Sequence, residues 1–233
     1  MDYITALDLI HDILKPATYV EIGCREGRSL TLARCPSLAI DPDFEIRMGL
    51  SSPTRIFKQT SDEFFASEDL RALLGGPVDL AFIDGMHQAE FALRDFLNLE
   101  MHARDDSVIL VDDILPEEMS WTTRTRQTPL WTGDVYKVIP FLRLHRPELD
   151  IRVFDIEMKG LAVISGLNPN DRQIQKNLPK HENDLAGDAK AYSSIDELRQ
   201  ALSPEPVAQL KDHLISLAGK RVRTGLSRFL RRR

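Results

Sequence analysis

Strand-length apolar runs, set between segments of helical period, constrain this chain most. VDLAFID (78–84) and SVILVDD (107–113) are almost continuously apolar until they end in Asp, as buried parallel strands are. Between them, AEFALRDFLNLEMHA (89–103) repeats Phe91, Leu93, Phe96, Leu97 and Leu99 at helical spacing. Upstream, residues 3–14 read as an amphipathic helix closed by Pro16, and 18–22 as a strand. A helix at 28–34, the strands SLAID and TRIFKQ, and a helix DEFFASEDLRALLGG stopped by its Gly pair follow. Such alternation implies right-handed crossovers and a mostly parallel sheet.

Beyond a loop at 114–133, DVYKVIPFLRLHR reads as a helix, and IRVFDI and LAVISGL are joined only by EMKG. So short a link makes that pair antiparallel. The expected fold is α/β: a Rossmann-like, doubly wound, seven-stranded sheet of five parallel strands plus a terminal antiparallel hairpin. Residues 1–167 form this domain, 168–192 a polar linker or loop, and 193–233 C-terminal helices with a basic tail.

Composition narrows the setting. Hydrophobic residues make up 42% of 233, enough for a core of this size. No apolar run approaches the ~20 residues of a membrane span. The N-terminal stretch carries acids where a signal peptide carries Lys or Arg. Two cysteines, Cys24 and Cys35, give no disulfide framework, which fits a reducing cytoplasm. Seven of 30 basic residues fall in the last fifteen positions, against 36 acids in the whole chain. So acidic a body argues against general nucleic-acid binding. The tail reads as a solvated terminus, with contact to an anionic surface as the alternative. The terminal helices offer a surface for a homodimer.

The turn after the first strand, VEIGCREGRS, is a ligand cradle of unusual type. Its pattern is Glu21-x-Gly23-x-x-x-Gly27, with Arg25 where a dinucleotide fingerprint needs its middle Gly and Ser29 at the sixth position. A pyrophosphate is therefore disfavoured. S-adenosylmethionine has no phosphate and needs a close turn and an acid for its ammonium, for which Glu21 is the candidate. Asp41, ending the next strand, suits ribose hydroxyls. Ser61 and Asp62, beyond the third strand, lie where adenine is recognised.

These residues, with AIDPD, FIDGMHQAEFALRDF, VDD and WTGDVYK, resemble the class I S-adenosylmethionine-dependent methyltransferases of the family of macrocin-type O-methyltransferases and cephalosporin-hydroxylase-like proteins. The resemblance spans about residues 15–167. It implies cofactor contacts at Glu21, Gly23, Gly27, Ser29 and Asp41, and Asp84 joins Ser61 and Asp62 in that set.

Asp84 ends the fourth strand, and Asp112 and Asp113 end the fifth. Adjacent strand ends share a crevice, and crowded carboxylates call for a cation. Oxygen donors of this kind suit Mg²⁺ or another divalent ion. The resemblance implies the same site in metal-dependent O-methyltransferases. His87, three residues after Asp84, is placed to take a proton from an acceptor hydroxyl, to ligate the metal, or to cap the next helix. The catalytic candidates are thus His87 and Asp84, and the expected substrate is small and hydroxylated, a sugar-containing one among the options. In the loop 114–133, Trp121, Trp131, Arg124 and Arg126 suggest a lid that stacks on a ring and reads an anionic group. A nicotinamide-dependent oxidoreductase and a non-catalytic methyltransferase-like binding protein are the competing readings.

Overall fold

The structure is a computed structural model that describes residues 1–187 and 192–231, with side chains through Val222. The basic tail's side chains beyond that point lie outside the described residues, so its role is an expectation only.

Eight strands form one sheet in the order β3-β2-β1-β4-β5-β7-β6-β8. They are β1 (Tyr19–Ile22), β2 (Ser37–Ile40), β3 (Thr54–Phe57), β4 (Val78–Ile83), β5 (Ala103–Asp112), β6 (Asp150–Asp155), β7 (Leu161–Ser165) and β8 (Glu205–Pro206). The first five are parallel, and β7 runs antiparallel to β5 and β6. The five-plus-hairpin plan is therefore present. The eighth strand corrects the expected seven: two residues pair in parallel with β6 at the far edge. So short a pairing leaves no periodicity to read.

The helices are α1 (Tyr3–Leu14), α2 (Ser61–Ser67), α3 (Leu70–Leu74), α4 (Ala89–His102), α5 (Val138–His145), α6 (Leu178–Ala186), α7 (Ile195–Leu202) and α8 (Leu210–Arg231). Three differ from the sequence reading. The helix expected at 28–34 is only a 3-10 turn at Leu30–Leu32. DEFFASEDLRALLGG breaks into α2 and α3, because Asp69 caps a new helix by accepting from Ala72 N at 3.1 Å. The polar segment 168–192, read as linker or loop, holds α6. Leu185 is buried there, and Glu182 reaches Arg94 at 2.8 Å.

The sheet separates two apolar layers. One holds Val20, Ile22, Ile83, Phe96 and Ile139 under α4 and α5. The other holds Tyr19, Phe82, Leu110 and Phe154 under α1 and α8. Alternation along β1 thus sends Tyr19 and Glu21 to the α1 side and Val20 and Ile22 to the α4 side. Cys24 and Cys35 are buried free thiols. Among the described residues no helix is long and apolar enough to cross a membrane.

Candidate active site

A cavity of about 770 Å³ opens at the carboxyl ends of the strands, within the ~300–1,000 Å³ usual for small-molecule sites. Its lining follows the sheet order. Thr60, Ser61 and Asp62 come from beyond β3, Asp41–Asp43 from β2, Gly23–Arg25 and Ser29 from β1, and Asp84–His87 from β4. Arg126 and Trp131 follow β5, and Lys159 comes from the β6–β7 turn. The β1 turn is tight. Gly23 has φ +87°, and a Cβ there would stand 1.9 Å from the Asp84 carbonyl oxygen. Gly27 has φ +81° and passes close to Ile46.

Glu21 is elsewhere. It is fully buried beneath the turn, accepting from Tyr19 Oη at 2.8 Å and Ser29 Oγ at 2.5 Å, and it does not line the cavity. The expected contact with a cofactor ammonium is therefore corrected: Glu21 props Ser29 and the turn from behind, because alternation along β1 points it at the α1 side. Burial pushes its carboxyl up to about 7, against the two hydrogen bonds. A raised acid contributes stability that is full below its ordinary 4.5 and lost as pH rises through about 7. Glu21→Gln keeps hydrogen-bonding atoms without the buried charge. It is expected to raise Tm at pH 8 and leave it unchanged at pH 5; equal shifts at both pH values would contradict this.

Asp41 lines the cavity and is anchored by two backbone amides, Arg25 N to Oδ2 at 2.7 Å and Asp43 N to Oδ1 at 2.8 Å. Asp62 also lines the cavity, and its two oxygens accept from Arg94 Nε and Nη2 at 2.8 and 2.7 Å. Ser61 remains at the cavity wall beside the buried Asp95. Asp95 was not singled out in the sequence, where it reads as one more polar position on α4.

At the other end His87 lies between two acids. Its Nε2 is 3.2 Å from Asp84 Oδ1, and its Nδ1 is 2.8 Å from Asp113 Oδ2 and 3.0 Å from the Trp131 carbonyl oxygen. Two acceptors at Nδ1 fix a proton there and leave Nε2 as the exchangeable nitrogen. Burial disfavours the imidazolium, but the hydrogen bonds its N–H groups donate to Asp113 and Asp84 outweigh it and raise His87 to about 10. Asp113 also pairs with Lys159 Nζ at 2.9 Å.

Lys159 was missed because EMKG was read only as a turn. The signal was in the pairing: Leu161 lies opposite Asp112, which returns that turn to the end of β5. The Leu115 amide donates to the Lys159 carbonyl at 2.6 Å and closes the contact.

Asp84, His87 and Asp113 each offer a ligand atom within 4.8 Å of the others. Two carboxylates and an imidazole fit a divalent cation. The expected trio was Asp84, Asp112 and Asp113, and this group holds two of them. Asp112 stands outside the donor set, its carboxyl held well above the usual range by burial and by the charges of Asp84 and Asp113. Burial also raises Asp84, whereas His87 and Lys159 together hold Asp113 low despite its burial. His87 and Asp113 both sit at positive φ, 56° and 62°. Such strain persists where surrounding contacts enforce it, often at functional sites.

The loop 114–133 is firmly built. Trp121 is buried, and its carbonyl accepts from the Thr132 and Gly133 amides at 3.0 and 3.1 Å. Trp131 stacks on His87 with centroids 5.0 Å apart. Arg124 is bound to Glu90 and Asp134, whereas Arg126 lies at the cavity and donates to the Pro129 carbonyl at 2.9 Å. The Trp pair expected to stack on a substrate ring is thus engaged within the protein.

Residues 20–114 match a family model described as a methyltransferase domain. The stretch contains the glycine turn, Asp41, Asp84, His87, Asp112 and Asp113. Among solved structures, cofactor-bound Rv0187 from MTB aligns with a TM-score of 0.53 and 15% identity, over 71% of this chain and 81% of that one. The O-methyltransferase TomG from Streptomyces achromogenes, solved with SAM, aligns with a TM-score of 0.53 and 13% identity, over 71% and 79%. Residues 20–114 thus resemble a methyltransferase domain, and the two solved structures share the fold of this chain. No curated protein is matched by the sequence. Lys159, Trp131 and Arg126 lie outside the matched stretch, so the cavity is built partly from segments beyond it.

Proposed function

We propose that this protein is an S-adenosylmethionine-dependent O-methyltransferase acting on a small hydroxylated acceptor, a sugar-containing one among them, with a divalent cation at the acceptor end. The observation that carries this reading is one cavity joining the glycine turn to Asp84, His87 and Lys159. Gly23, Asp41 and Ser61 would hold the methyl donor on one side of the cavity, and Asp84, His87 and Lys159 line the other.

Asp84 and Asp113 would hold the cation, with the His87 ring between them. When bound, it supplies positive charge that lowers the pKa of an acceptor hydroxyl. His87 Nε2 is the atom placed to receive the hydroxyl proton, while the Trp131 carbonyl keeps Nδ1–H in place. As the cluster stands the imidazole is protonated, so His87 becomes a base only when further positive charge reaches the two acids. Trp131 covers one imidazole face and restricts water there. In-line alignment of alkoxide and methyl group supplies much of the acceleration.

Calorimetry tests the cofactor half: S-adenosylhomocysteine is expected to bind and NAD not to, and the reverse result would overturn the reading. Labelled methyl transfer to glycosides, phenols and nucleotide sugars, with and without chelator, tests the acceptor half. Mg²⁺ binding is expected to weaken by about 10- to 100-fold in Asp113→Asn. Unchanged Mg²⁺ affinity in that variant removes the cation from the mechanism.

A further inference from the structure

The loop after β5 brings one charged side chain to the cavity that proton transfer does not use. Arg126 lines the cavity together with Pro129 and Trp131 of the same loop. It is exposed, and among the described residues no carboxylate pairs with it. Its Nε and Nη2 donate to the Thr128 and Pro129 carbonyl oxygens at 3.4 and 2.9 Å, which leaves Nη1 without a described acceptor. Arg124, two positions earlier, is different: Glu90 and Asp134 already take its guanidinium. A guanidinium is matched best by a planar or tetrahedral anion that accepts from two of its N–H groups.

The loop is fastened around Arg126. Gln88 Nε2 donates to the Arg124 carbonyl at 3.2 Å, and Trp131 Nε1 donates to the Thr123 carbonyl. Trp131 also stacks on His87. The guanidinium is thus carried by the same firm segment that covers the imidazole, and little ordering is left for a ligand to impose.

Charge restricts what that ligand can be. Around His87 the two acids are already matched: Asp84 and Asp113 face its ring, and Asp113 also meets Lys159 at 2.9 Å. Arg126 is therefore surplus positive charge on this side of the cavity. Arg25 and Arg28 line the cavity too, but on the glycine turn beside Gly23 and Ser29, the side assigned to the methyl donor. A cleft focuses the field of a charge on its wall and draws in ions of opposite sign.

We propose that Arg126 binds an anionic group of the acceptor, a carboxylate or a phosphate, so that the substrate is a hydroxylated anion rather than a neutral glycoside or phenol. This rests on the methyltransferase reading above and narrows its acceptor. Arg126 is then a specificity-determining residue: it selects and orients the acceptor, while the chemistry takes place at the hydroxyl.

The test uses probes that differ in the anion alone: glucose with glucose 6-phosphate, and catechol with dihydroxybenzoate. Each is titrated calorimetrically into the full chain saturated with S-adenosylhomocysteine. Wild type is expected to bind the anionic member of at least one pair about tenfold or more tightly. Preference in the first pair alone assigns a phosphate, and in the second alone a carboxylate. Arg126→Gln should bring the members of that pair within about threefold and leave S-adenosylhomocysteine affinity unchanged, while Arg126→Lys should keep part of the preference. A preference that survives intact in Arg126→Gln overturns the proposal. So does wild type that binds neither anionic probe more tightly than its neutral counterpart. Failure of S-adenosylhomocysteine itself to bind, measured first, overturns the methyltransferase reading and this inference with it.

Discussion

His87→Ala is expected to lower kcat by about 10²- to 10⁴-fold, the usual contribution of a positioned proton acceptor. S-adenosylhomocysteine affinity should stay within about threefold, since the loss falls on the chemical step. The reason is the ring's placement. His87 is held on one side by Asp84 at 3.2 Å and on the other by Asp113 and the Trp131 carbonyl. Alanine removes the only imidazole lining the cavity among the described residues, and it leaves the carboxylates of Asp84 and Asp113 facing each other. Those acids would then retain a proton or draw in a cation, neither of which restores a base at Nε2. Single-turnover rates with labelled cofactor, beside binding titrations, separate the two effects. A kcat within tenfold of wild type would remove His87 from proton transfer and leave it a structural bridge.

Gly23→Ala should be the most damaging small substitution in the cofactor turn, costing about 3–4 kcal/mol and lowering Tm by about 10 °C. Two effects add. The residue sits at φ +87°, where an L side chain is strained. Its Cβ would also stand 1.9 Å from the Asp84 carbonyl oxygen, a backbone atom fixed at the end of β4. Relief therefore requires β1 and β4 to separate where Asp84 N donates to Ile22 O at 2.8 Å. Gly75→Ala is the control: φ is +72° there, but nothing lies within 4 Å of the added Cβ, so only about 1 kcal/mol is expected. Urea unfolding of both variants makes the comparison. A Gly23→Ala cost no larger than that of Gly75→Ala would show that the turn relaxes freely.

The carboxylate cluster was legible to a limited depth. Asp84 and Asp113 could be placed together because each ends a buried apolar run, and parallel neighbours end on one edge. The adjacent Asp112 looked equivalent in sequence. Asp113, at positive φ just beyond the strand end, enters the donor set, and no residue type announces that turn. Glu21 shows the opposite failure. Its spacing from Gly23 suggested a ligand contact, yet strand alternation put it on the same face as Tyr19, whose hydroxyl takes one of its oxygens. The partners of Asp62 and Arg124 were hidden for a further reason: Arg94, and Glu90 with Asp134, lie 10 to 34 positions away along the chain.

By itself the sequence determined the strand–helix order, the parallel core, the antiparallel ending and the glycine turn. Each is written in local periodicity or in residues with singular backbone freedom, and each follows from burial and chain geometry over a few positions. The tertiary structure decided what faces what: Lys159 against Asp113, Trp131 over His87, Glu21 behind the turn and Arg126 at the cavity. Those contacts join segments from different strand ends, and a side chain's charge and partner depend on which of two faces it takes. That choice is made by packing across the whole sheet, which no short stretch of sequence contains.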